Sequence, residues 1–352
     1  MIAPGPAGAR DQRVGTVPGT YVVVPNWNGA AHLGPCIRSL AAQDDADLVI
    51  VVVDNGSTDN SVAVLEALAV EIAPVRLTVL RNDVNLGFAG GVNRGIRHAL
   101  AAGARAVALF NNDAVADTRW LATLVAGLES DPDVAIVTGR LLMGDGQTVD
   151  STGDFYSVWG LAFPRDRDQP SDPVRESGEV FAASGGASLY RAALFADIGL
   201  FDEEFFAYFE DVDLSFRARL AGHRVRYCAD AVAYHDQGAT SRTMAGFATR
   251  QFFRNLPLLL VKNVPARLLP SVVPRFVLIY SLMVLYQFRR GQARPAVRGV
   301  AESVGLVARG LPRRRVIQRS RRVDSTDIRH LLWPGLPPGM RVLRGRLLGR
   351  AQ

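Results

Sequence analysis

The sequence predicts an α/β fold in which a parallel sheet is flanked by helices, and two observations carry this prediction. Within residues 20–115, short apolar segments alternate with segments of helical periodicity, which is the pattern of βαβ units. Each of the four apolar segments also ends in polar residues, and parallel strands end at a shared edge where α/β proteins bind ligands. With 352 residues, 48% of them hydrophobic, the chain can bury a large core.

The individual elements follow from apolar runs and the residues that interrupt them. The predicted strands are 21–24, 48–53, 75–80 and 106–110, and the predicted helices after them are 34–42, 61–69, 92–102 and 118–128. The strands are rich in β-branched residues, and the turns between elements are rich in Asn, Asp and Gly. A short strand at 231–234 is predicted further along the chain.

The fourth strand ends abruptly at Asn111, Asn112 and Asp113. At the carboxyl end of a strand, these polar side chains would point into the crevice, so Asp113 is the first candidate for chemistry. The alternative is a polar turn in which Asp113 or Asp117 caps the helix that starts at Thr118.

The other strand ends supply candidates for nucleotide binding. The first strand lacks a G-x-G-x-x-G fingerprint and the chain has no G-x-x-x-x-G-K-[ST] loop, so a nucleotide would be held by other means. Asp54 could accept a hydrogen bond from a base N–H group, and Asn85, Gly87 and Asn93 could line a ribose or diphosphate. The alternative is that residues 54–59 form an Asx turn that caps the next helix.

Residues 142–178 show no steady hydrophobic period and predict long inserted loops, which are often functional. Trp159 and Phe163 within them would either stack on a bound ligand or anchor the loop. A strand at 180–183 would bring the small residues 184–186 to the crevice, where they would let a ligand approach the backbone closely.

An aromatic segment, Phe205–Phe209, leads to Glu210, Asp211 and Asp213 at the start of a predicted helix. The helix dipole and an i, i+4 pair with Arg217 account for Asp213. A carboxylate behind an aromatic wall is partly desolvated, which raises its pKa and suits a general base. Asp211 is therefore the candidate base.

Seven segments, in order, carry a resemblance to a known family. They read YVVVPNWNG (21–29), VVVDNGSTD (51–59), NLGFAGGVNRG (85–95), FNND (110–113), SGGA (184–187), FAYFEDVDLSFR (206–217) and AYH (233–235). Each is weak alone, but the ordered set resembles the family 2 glycosyltransferases of the GT-A fold, especially the rhamnosyltransferase-like branch, over about residues 20–240.

The resemblance implies specific roles. Glu210 and Asp211 form the expected catalytic pair, in which Asp211 deprotonates the acceptor hydroxyl. His235 matches a metal-binding position and, with Asp113, would hold Mg²⁺ or Mn²⁺ against the donor diphosphate, whereas spacing alone leaves His235 a structural or surface residue. The residues expected to bind the nucleotide sugar are Pro25, Asn26, Trp27, Asn28, Asp54, Asn85, Gly87, Asn93, Asn111, Asn112, Asp113, Gly185 and Gly186.

The chain divides by composition into a leader, a catalytic domain and a basic C-terminal region. Residues 1–19 predict a disordered leader, 20–115 a nucleotide-binding half, 116–240 an acceptor and catalytic half, and 241–352 a helical, membrane-proximal region. Residues 241–352 hold 22 Lys and Arg against 3 Asp and Glu, whereas residues 1–240 hold 18 against 31. This asymmetry indicates different roles for the front and the back of the chain.

The C-terminal region contains an uncharged apolar run, Phe276–Phe288, followed by clusters of arginine. Thirteen residues are fewer than the about 20 that a spanning helix needs, so an interfacial or re-entrant membrane contact is predicted. A buried core helix and a tilted span are the alternatives. The arginines would attract anionic headgroups. Nucleic acid is not an expected partner, because no stacking aromatics are interleaved among the arginines.

The predicted function is inverting transfer of a sugar, with dTDP-rhamnose as the expected donor, to a lipid-linked or glycan acceptor in cell-wall or surface glycan synthesis. The two cysteines, Cys36 and Cys228, suit a reducing cytoplasm, and the predicted location is the inner face of the plasma membrane, held peripherally. Galactofuranosyl or other hexosyl transfer, a sugar nucleotidyltransferase and a non-catalytic nucleotide-sugar-binding scaffold are the alternatives. The sequence does not predict the oligomeric state.

Overall fold

The computed structural model describes residues 19–44, 47–236, 244–337 and 340. The strands are β1 (Thr20–Asn26), β2 (Leu48–Asp54), β3 (Arg76–Arg81), β4 (Ala106–Phe110), β5 (Ala114–Ala116), β6 (Val134–Met143), β7 (Val149–Ser151), β8 (Asp154–Tyr156), β9 (Ala162–Pro164), β10 (Gly178–Glu179), β11 (Ala187–Arg191) and β12 (Arg224–His235). The helices are α1 (Ala30–Ala41), α2 (Ser61–Glu71), α3 (Gly87–Ala101), α4 (Trp120–Glu129), α5 (Ala192–Ile198), α6 (Glu210–Leu220), α7 (Phe247–Asn263), α8 (Leu269–Arg289), α9 (Ala293–Ser320) and α10 (Ser325–Leu331). The predicted leader, 1–19, lies outside the described residues except for Gly19.

A ten-stranded mixed sheet forms the centre of the molecule. Its order is β10-β12-β6-β11-β4-β1-β2-β3, with β5 paired to β12 and β7 paired to β6. Strands β1 to β4 are parallel to one another where they pair, and β11 runs antiparallel between β4 and β6. The predicted α/β fold is confirmed, and the carboxyl ends of β1, β2 and β4 meet at one edge.

Alternate residues of each strand feed two hydrophobic cores on opposite faces of the sheet. Val22 and Val24 of β1 pack with α1, α2 and α4, whereas Tyr21 and Val23 pack with α3, α5 and α6. This alternation follows from the two-residue side-chain period of a strand. Both faces of the sheet are covered at its centre, so β2 and β4 are buried along their whole length.

Helix α3 approaches the sheet closely, and glycine permits this approach. The helix begins at Gly87, five residues before the predicted start at 92. A Cβ added at Gly95 would lie 2.4 Å from Cγ1 of Val23, so only glycine fits there without displacing the strand. The glycines that indicated a loop in the sequence therefore belong to a helix.

Several predicted element boundaries are wrong in informative ways. Helix α4 begins after Arg119 and has no side-chain cap, so neither Asp113 nor Asp117 is its N-cap. Asp117 instead accepts a hydrogen bond from the Arg119 backbone N–H at 3.1 Å. The segment 180–183 is not a strand, since only Ala182 forms a bridge there. The short strand predicted at 231–234 is the end of the twelve-residue β12.

The C-terminal helices pack on the catalytic part through a third hydrophobic core. It joins Tyr156, Phe181 and Phe216 to residues of the C-terminal helices such as Phe253 and Phe276. Loss of any of these aromatic side chains would cost about 3–5 kcal/mol by analogy with other buried aromatic residues. Helices α7 to α9 are thus part of the same folded body as the sheet.

Ion pairs between the basic back and the acidic front reinforce this packing. Arg309 bonds to Glu204 at 3.1 Å, and Arg322 pairs with Asp197. Buried Lys262 bonds to Asp202 at 2.6 Å. Some of the C-terminal arginines therefore pair with acids of the same chain. Fewer arginines are left to bind an outside partner than the composition indicates.

Helix α8 is unlike the other helices in its surface. The helical segment Ala266–Arg289 contains α8 and the short turn before it. Within the described ranges, it is the one helical segment that is long and apolar enough to cross a membrane, and 28% of its most apolar 18-residue stretch is buried. The helix runs unbroken through Pro274, so the uncharged run predicted at 276–288 lies within a longer helix. It is not the buried core helix that was one alternative.

Candidate functional site

A cavity of about 1000 Å³ opens at the carboxyl edge of the sheet. Its wall contains most of the residues predicted from the sequence, namely Pro25, Asn26, Trp27, Asn85, Gly87, Asn111, Asn112, Asp113, Gly185, Gly186, Glu210, Asp211 and His235. Three predicted residues, Asn28, Asp54 and Asn93, do not line it. Folding therefore brings residues from positions 25 to 235 to one site.

The end of β1 is held by a chain of buried polar side chains. Asn112 donates to Asn26 Oδ1 at 2.8 Å, and Asn26 donates to Asp54 Oδ1 at 3.1 Å. Asp54 also accepts from the Ser57 backbone N–H at 3.3 Å. Asp54 is thus placed behind Asn26, where it orients that amide, and the predicted direct contact with a base has no support in this arrangement.

Asn28 and Asn93 are also used to connect segments. Asn28 Oδ1 accepts from the Thr58 backbone N–H at 2.7 Å and so joins the loops after β1 and β2. Asn93 donates to Phe201 O at 2.9 Å and to Glu203 Oε1 at 2.8 Å. Because its amide is engaged by these two partners and Asn93 does not line the cavity, the structure corrects the prediction that Asn93 lines a ribose or diphosphate.

Asn55 lines the cavity, although the sequence reasoning did not select it. Its amide donates to Asn85 Oδ1 at 3.2 Å and to Gly87 O at 2.8 Å, and it accepts from Asn82 at 2.8 Å. Asn55 therefore fixes the start of α3, whose first residue, Gly87, is at a positive φ of 74°. Its position directly after Asp54 in the DNGSTD segment is a signal that could have identified it.

Asp113 and His235 are brought together by strand pairing. His235 at the end of β12 is in register with Ala114 of β5, and its Nε2 atom lies 3.1 Å from Asp113 Oδ1. On the other side of the ring, Nδ1 lies 2.7 Å from Asp150 Oδ2. Burial by itself would lower the pKa of His235, but the hydrogen bonds to Asp113 and Asp150 outweigh burial and raise it to about 9.

The donor atoms at this point suit a divalent cation. A carboxylate oxygen and an imidazole nitrogen 3.1 Å apart are spaced as two neighbouring ligands of one octahedral ion would be, at about 2.1 Å from it. Within the described residues, no group of three His, Cys, Asp or Glu side chains is placed to hold an ion alone. The two side chains therefore fit a cation that takes its other ligands from a bound diphosphate and water.

Glu210 and Asp211 occupy the first turn of α6 and face the cavity. Asp211 Oδ2 accepts from the Gly185 backbone N–H at 2.8 Å. Burial raises the pKa of Asp211, and hydrogen bonds from the backbone only partly offset this. Burial and the neighbouring Asp211 raise the pKa of Glu210 well above its ordinary value. The position of Asp211 in the cavity wall and its raised pKa are the properties that a general base needs.

The segment before α6 is strained and is held by α7. Phe206, Tyr208 and Phe209 have positive φ angles of 64°, 71° and 73°, which cost energy in residues with a Cβ. Asn255 of α7 donates to the carbonyl groups of Ala207 and Tyr208 at 2.8 and 3.0 Å. A helix of the C-terminal region thus fixes the backbone that presents Glu210 and Asp211.

A further acid of the cavity wall, Asp154, was missed from the sequence. It is 8% exposed, and burial followed by the nearby Asp211 raises its pKa to about 8, against the opposing effect of Arg167. Asp154 lies in β8, whose backbone pairs with Ala182. No periodic pattern surrounds it in the sequence, so no signal pointed to it.

The two aromatic candidates of the inserted segment differ in position. Phe163 lines the cavity and packs against Phe155 and Trp333, so it serves both as an anchor and as part of the wall. Trp159 is half-buried against the third hydrophobic core and does not line the cavity. Trp159 is therefore an anchor.

Comparison with known families identifies a match over most of the chain. A family model described as glycosyltransferase like family 2 matches residues 18–256. An N-acetylglucosaminyl-diphospho-decaprenol L-rhamnosyltransferase of Mycobacterium tuberculosis is 29% identical over 252 residues, covering 64% of this chain and 78% of that protein. A pre-mycofactocin glycosyltransferase of the same species is 28% identical, covering 72% of this chain and 49% of that protein.

Comparison with solved structures gives the same fold. The mannosyltransferase PcManGT from Pyrobaculum calidifontis in complex with GDP-Man and Mn²⁺ has a TM-score of 0.53 at 17% identity, covering 82% of this chain and 87% of that one. TarS residues 1–349 from S. aureus in complex with UDP-GlcNAc has a TM-score of 0.54 at 17% identity, covering 86% and 91%. The predicted GT-A type of fold is confirmed.

Proposed function

The chain belongs to the glycosyltransferase-like family 2, and on this premise we propose that it is an inverting, metal-dependent transferase. It moves a sugar from a nucleoside diphosphate donor to an acceptor hydroxyl. The observation that carries this proposal is the single cavity whose wall includes Asp113 and His235 together with Asp211. A donor diphosphate at the first pair would leave the sugar in reach of the base.

Each group of residues has a distinct task in this reaction. Asp211 accepts the proton of the acceptor hydroxyl, and the Gly185 N–H group, 2.8 Å from Asp211 Oδ2, holds the carboxylate in place. Asp113 and His235 would hold a Mg²⁺ or Mn²⁺ ion, which supplies positive charge against the departing diphosphate. The attacking oxygen approaches from the face opposite the leaving group, so one displacement inverts the anomeric carbon.

The uncharged part of the cavity wall suits a sugar. Gly185 and Gly186 carry no side chain, and a Cβ at Gly185 would lie 3.2 Å from Asp211 Cβ. Glycine thus keeps open the space beside the base. Phe163 and Phe209 also line the cavity, and aromatic faces stack on the apolar faces of sugar rings.

The donor we propose is dTDP-rhamnose and the acceptor is lipid-linked. Support comes from the relative named as an N-acetylglucosaminyl-diphospho-decaprenol L-rhamnosyltransferase. Galactofuranosyl or other hexosyl transfer is the competing assignment. We also propose a role in cell-wall or surface glycan synthesis, supported by the decaprenol-linked acceptor in the name of this relative.

A donor screen tests the catalytic proposal. The purified full-length chain is incubated with Mn²⁺ and dTDP-rhamnose, UDP-galactofuranose, UDP-GlcNAc or GDP-mannose, and release of the nucleoside diphosphate is measured. We expect one donor to be hydrolysed, and EDTA to abolish its hydrolysis. The Asp113→Ala variant should lose the activity as well. The proposal would be contradicted if the chain neither bound nor hydrolysed any of the four nucleotide sugars.

The location we propose is the cytoplasmic face of the plasma membrane, with α8 as the contact. Its outer face presents Val277, Leu278, Leu285 and Phe288, which are 55 to 62% exposed, and Phe276–Phe288 contains no charge. Surface helices of soluble proteins usually carry charges on this face. The arginines at 289, 290 and 294 would pair with anionic headgroups while the apolar side chains enter the bilayer interface.

Vesicle sedimentation tests this location. The full-length chain should sediment with vesicles of phosphatidylglycerol and phosphatidylcholine, and the Leu278→Glu/Leu285→Glu variant should sediment at least several-fold less. Val70→Glu is the matched control, because Val70 is 81% exposed on α2, far along the chain from α8. Equal sedimentation of both variants would contradict the assignment of α8.

A further inference from the structure

We propose that Asp150 is a positioning residue that holds His235 in the tautomer needed to bind a cation. Asp150 lies on the short strand β7, which pairs with β6, and its side chain is 2% exposed. Its Oδ2 atom is 2.7 Å from His235 Nδ1. The inference rests on the cation site in the proposed function and assigns a role to Asp150, which lines the same cavity but is not one of the proposed ligands.

The hydrogen bond fixes which ring nitrogen faces the cavity. A carboxylate accepts hydrogen bonds and does not donate them, so His235 donates its Nδ1 proton to Asp150. The Nε2 atom, 3.1 Å from Asp113 Oδ1, is then the nitrogen that can bind an ion. Metal-binding histidines commonly donate the other ring N–H group to a carboxylate in this way.

A second cationic contact fixes the orientation of Asp150 itself. Arg167 donates through Nη2 to Asp150 Oδ1 at 2.6 Å and through Nε to Asp150 O at 3.0 Å. Each carboxylate oxygen of Asp150 is therefore assigned to one partner, Oδ1 to Arg167 and Oδ2 to His235. The four side chains form a continuous series from Arg167 through Asp150 and His235 to Asp113.

This arrangement predicts that replacing the Asp150 carboxylate by an amide changes the tautomer of His235. In Asp150→Asn, Arg167 still requires an acceptor, so the amide oxygen faces Arg167 and the amide NH₂ group faces His235 Nδ1. Two donors cannot face each other, so the ring proton moves to Nε2 and blocks that atom as a ligand. The shape of the site is unchanged, and only the tautomer is wrong.

The arrangement also predicts a recovery. In Asp150→Asn/Arg167→Ala, no guanidinium group fixes the new amide, so this amide can rotate and present its oxygen to the Nδ1 proton of His235. The double variant should therefore bind a cation more tightly than Asp150→Asn. A purely structural role for Asp150 and Arg167 would instead make the double variant weaker than either single variant.

The experiment measures the Mn²⁺ affinity of the full-length chain by electron paramagnetic resonance of the free ion, with the same concentration of dTDP in every sample to supply the diphosphate ligands. We expect binding about 10–100-fold weaker in Asp150→Asn than in the wild type, with partial recovery in the double variant. Glu176→Gln, an exposed acid of the same inserted segment, is the control and should match the wild type. Asp113→Ala should bind poorly and serves as the reference for loss of a ligand.

The outcomes separate this inference from the proposed function. Wild-type affinity in Asp150→Asn would overturn the role of Asp150 and leave the transferase proposal intact. No Mn²⁺ binding by the wild type would overturn both the cation site and the role of Asp150. If Asp150→Asn does not fold, the ¹⁵N shifts of His235 in the Mg²⁺-bound wild type decide. A protonated Nδ1 supports the inference and an unprotonated Nδ1 overturns it.

Discussion

The acids in the first turn of α6 have two different environments. Glu210 and Asp211 face the cavity, and neither forms an ion pair with any residue of the described ranges. Asp213, two residues after Asp211, is fully buried between the cationic side chains of Arg217 and Lys262. It accepts from Arg217 at 2.9 Å and from Lys262 at 2.9 Å, and Asn263 donates to its other oxygen at 2.7 Å.

The pKa shifts of these acids have opposite directions. Burial raises the pKa of Asp211. Burial would also raise the pKa of Asp213, but Lys262 and Arg217 outweigh it and lower the value. The comparison shows that sequence position in a first turn does not decide the role of a carboxylate. The presence or absence of a buried cation decides whether it stabilises the fold or stays available to take a proton.

The largest expected effect is on catalysis by Asp211→Asn. The amide keeps the shape of the side chain and cannot accept a proton, so the rate of sugar transfer should fall by about 10²–10⁴-fold, the usual contribution of a general base. The melting temperature should not fall, since no ion pair is lost. Transfer rates with the donor found in the screen, together with thermal denaturation, make the measurement.

The control for Asp211→Asn is Glu129→Gln, an exposed acid at the end of α4. That variant should retain the wild-type rate. A wild-type rate in Asp211→Asn would show that the cavity-facing acid is not the base. Asp211 and Asp213 would then differ only in their effect on the stability of the fold.

A smaller but still large effect is expected on stability from Asp213→Asn. The change leaves Lys262 and Arg217 buried without their shared carboxylate, and breaking such a pair costs about 3–5 kcal/mol. In a chain of this size the melting temperature should fall by roughly 5–10 °C. Thermal denaturation followed by circular dichroism would measure the loss.

The control for Asp213→Asn is a surface pair. Arg38 and Glu71 are bonded at 2.6 Å, but both side chains are about half exposed. Water screens such a pair, so Glu71→Gln should leave the melting temperature close to that of the wild type. A stable Asp213→Asn that has lost its activity would contradict the comparison and place Asp213 in the chemistry.

The fold was largely predictable because its signals are local. Four apolar runs, among them 48–53 and 106–110, predicted the four parallel strands, and the polar residues after them predicted the edge where the cavity lies. The start of α3 was not predictable, because Gly87, Gly90 and Gly91 lower helix propensity and are required there by close packing. The order in which β6, β11 and β12 join the sheet also depends on long-range pairing that no local pattern encodes.

The site was predictable only where residues sit in ordered motifs. Asp113, Asp211 and His235 belong to such segments, and the structure brings all three to one cavity. Asp150 and Asp154 lie in an inserted segment without periodicity, so their proximity to the site follows only from the pairing of β7 with β6 and of Asp154 with Ala182. Asn93 sits in a motif as well, yet its side chain turns towards Phe201.

The smallest expected effect separates the two acids by pH. A base works only when ionised, and the pKa of Asp211 is raised, so the transfer rate should fall as the pH is lowered through that pKa, by about ten-fold for each pH unit below it. The lowered pKa of Asp213 has the opposite consequence. Its stabilising effect is complete above the pKa of an unfolded aspartate, about 3.9, and is lost only as the pH falls towards the lower folded value.

As the pH is lowered from neutral, the rate should therefore decline at a higher pH than the one at which the melting temperature begins to fall. Both quantities are measured on the same samples, with Mn²⁺ kept saturating at each pH so that loss of the cation does not imitate loss of the base. The pKa values of Glu210 and Asp154 are raised, so these carboxyls stabilise the fold as they gain protons. Their protonation therefore helps to maintain the melting temperature while the rate declines. A rate that falls only at about pH 3.9, where an ordinary aspartate gains its proton, would remove the distinction between the acids, since Asp211 would then titrate like a surface carboxylate.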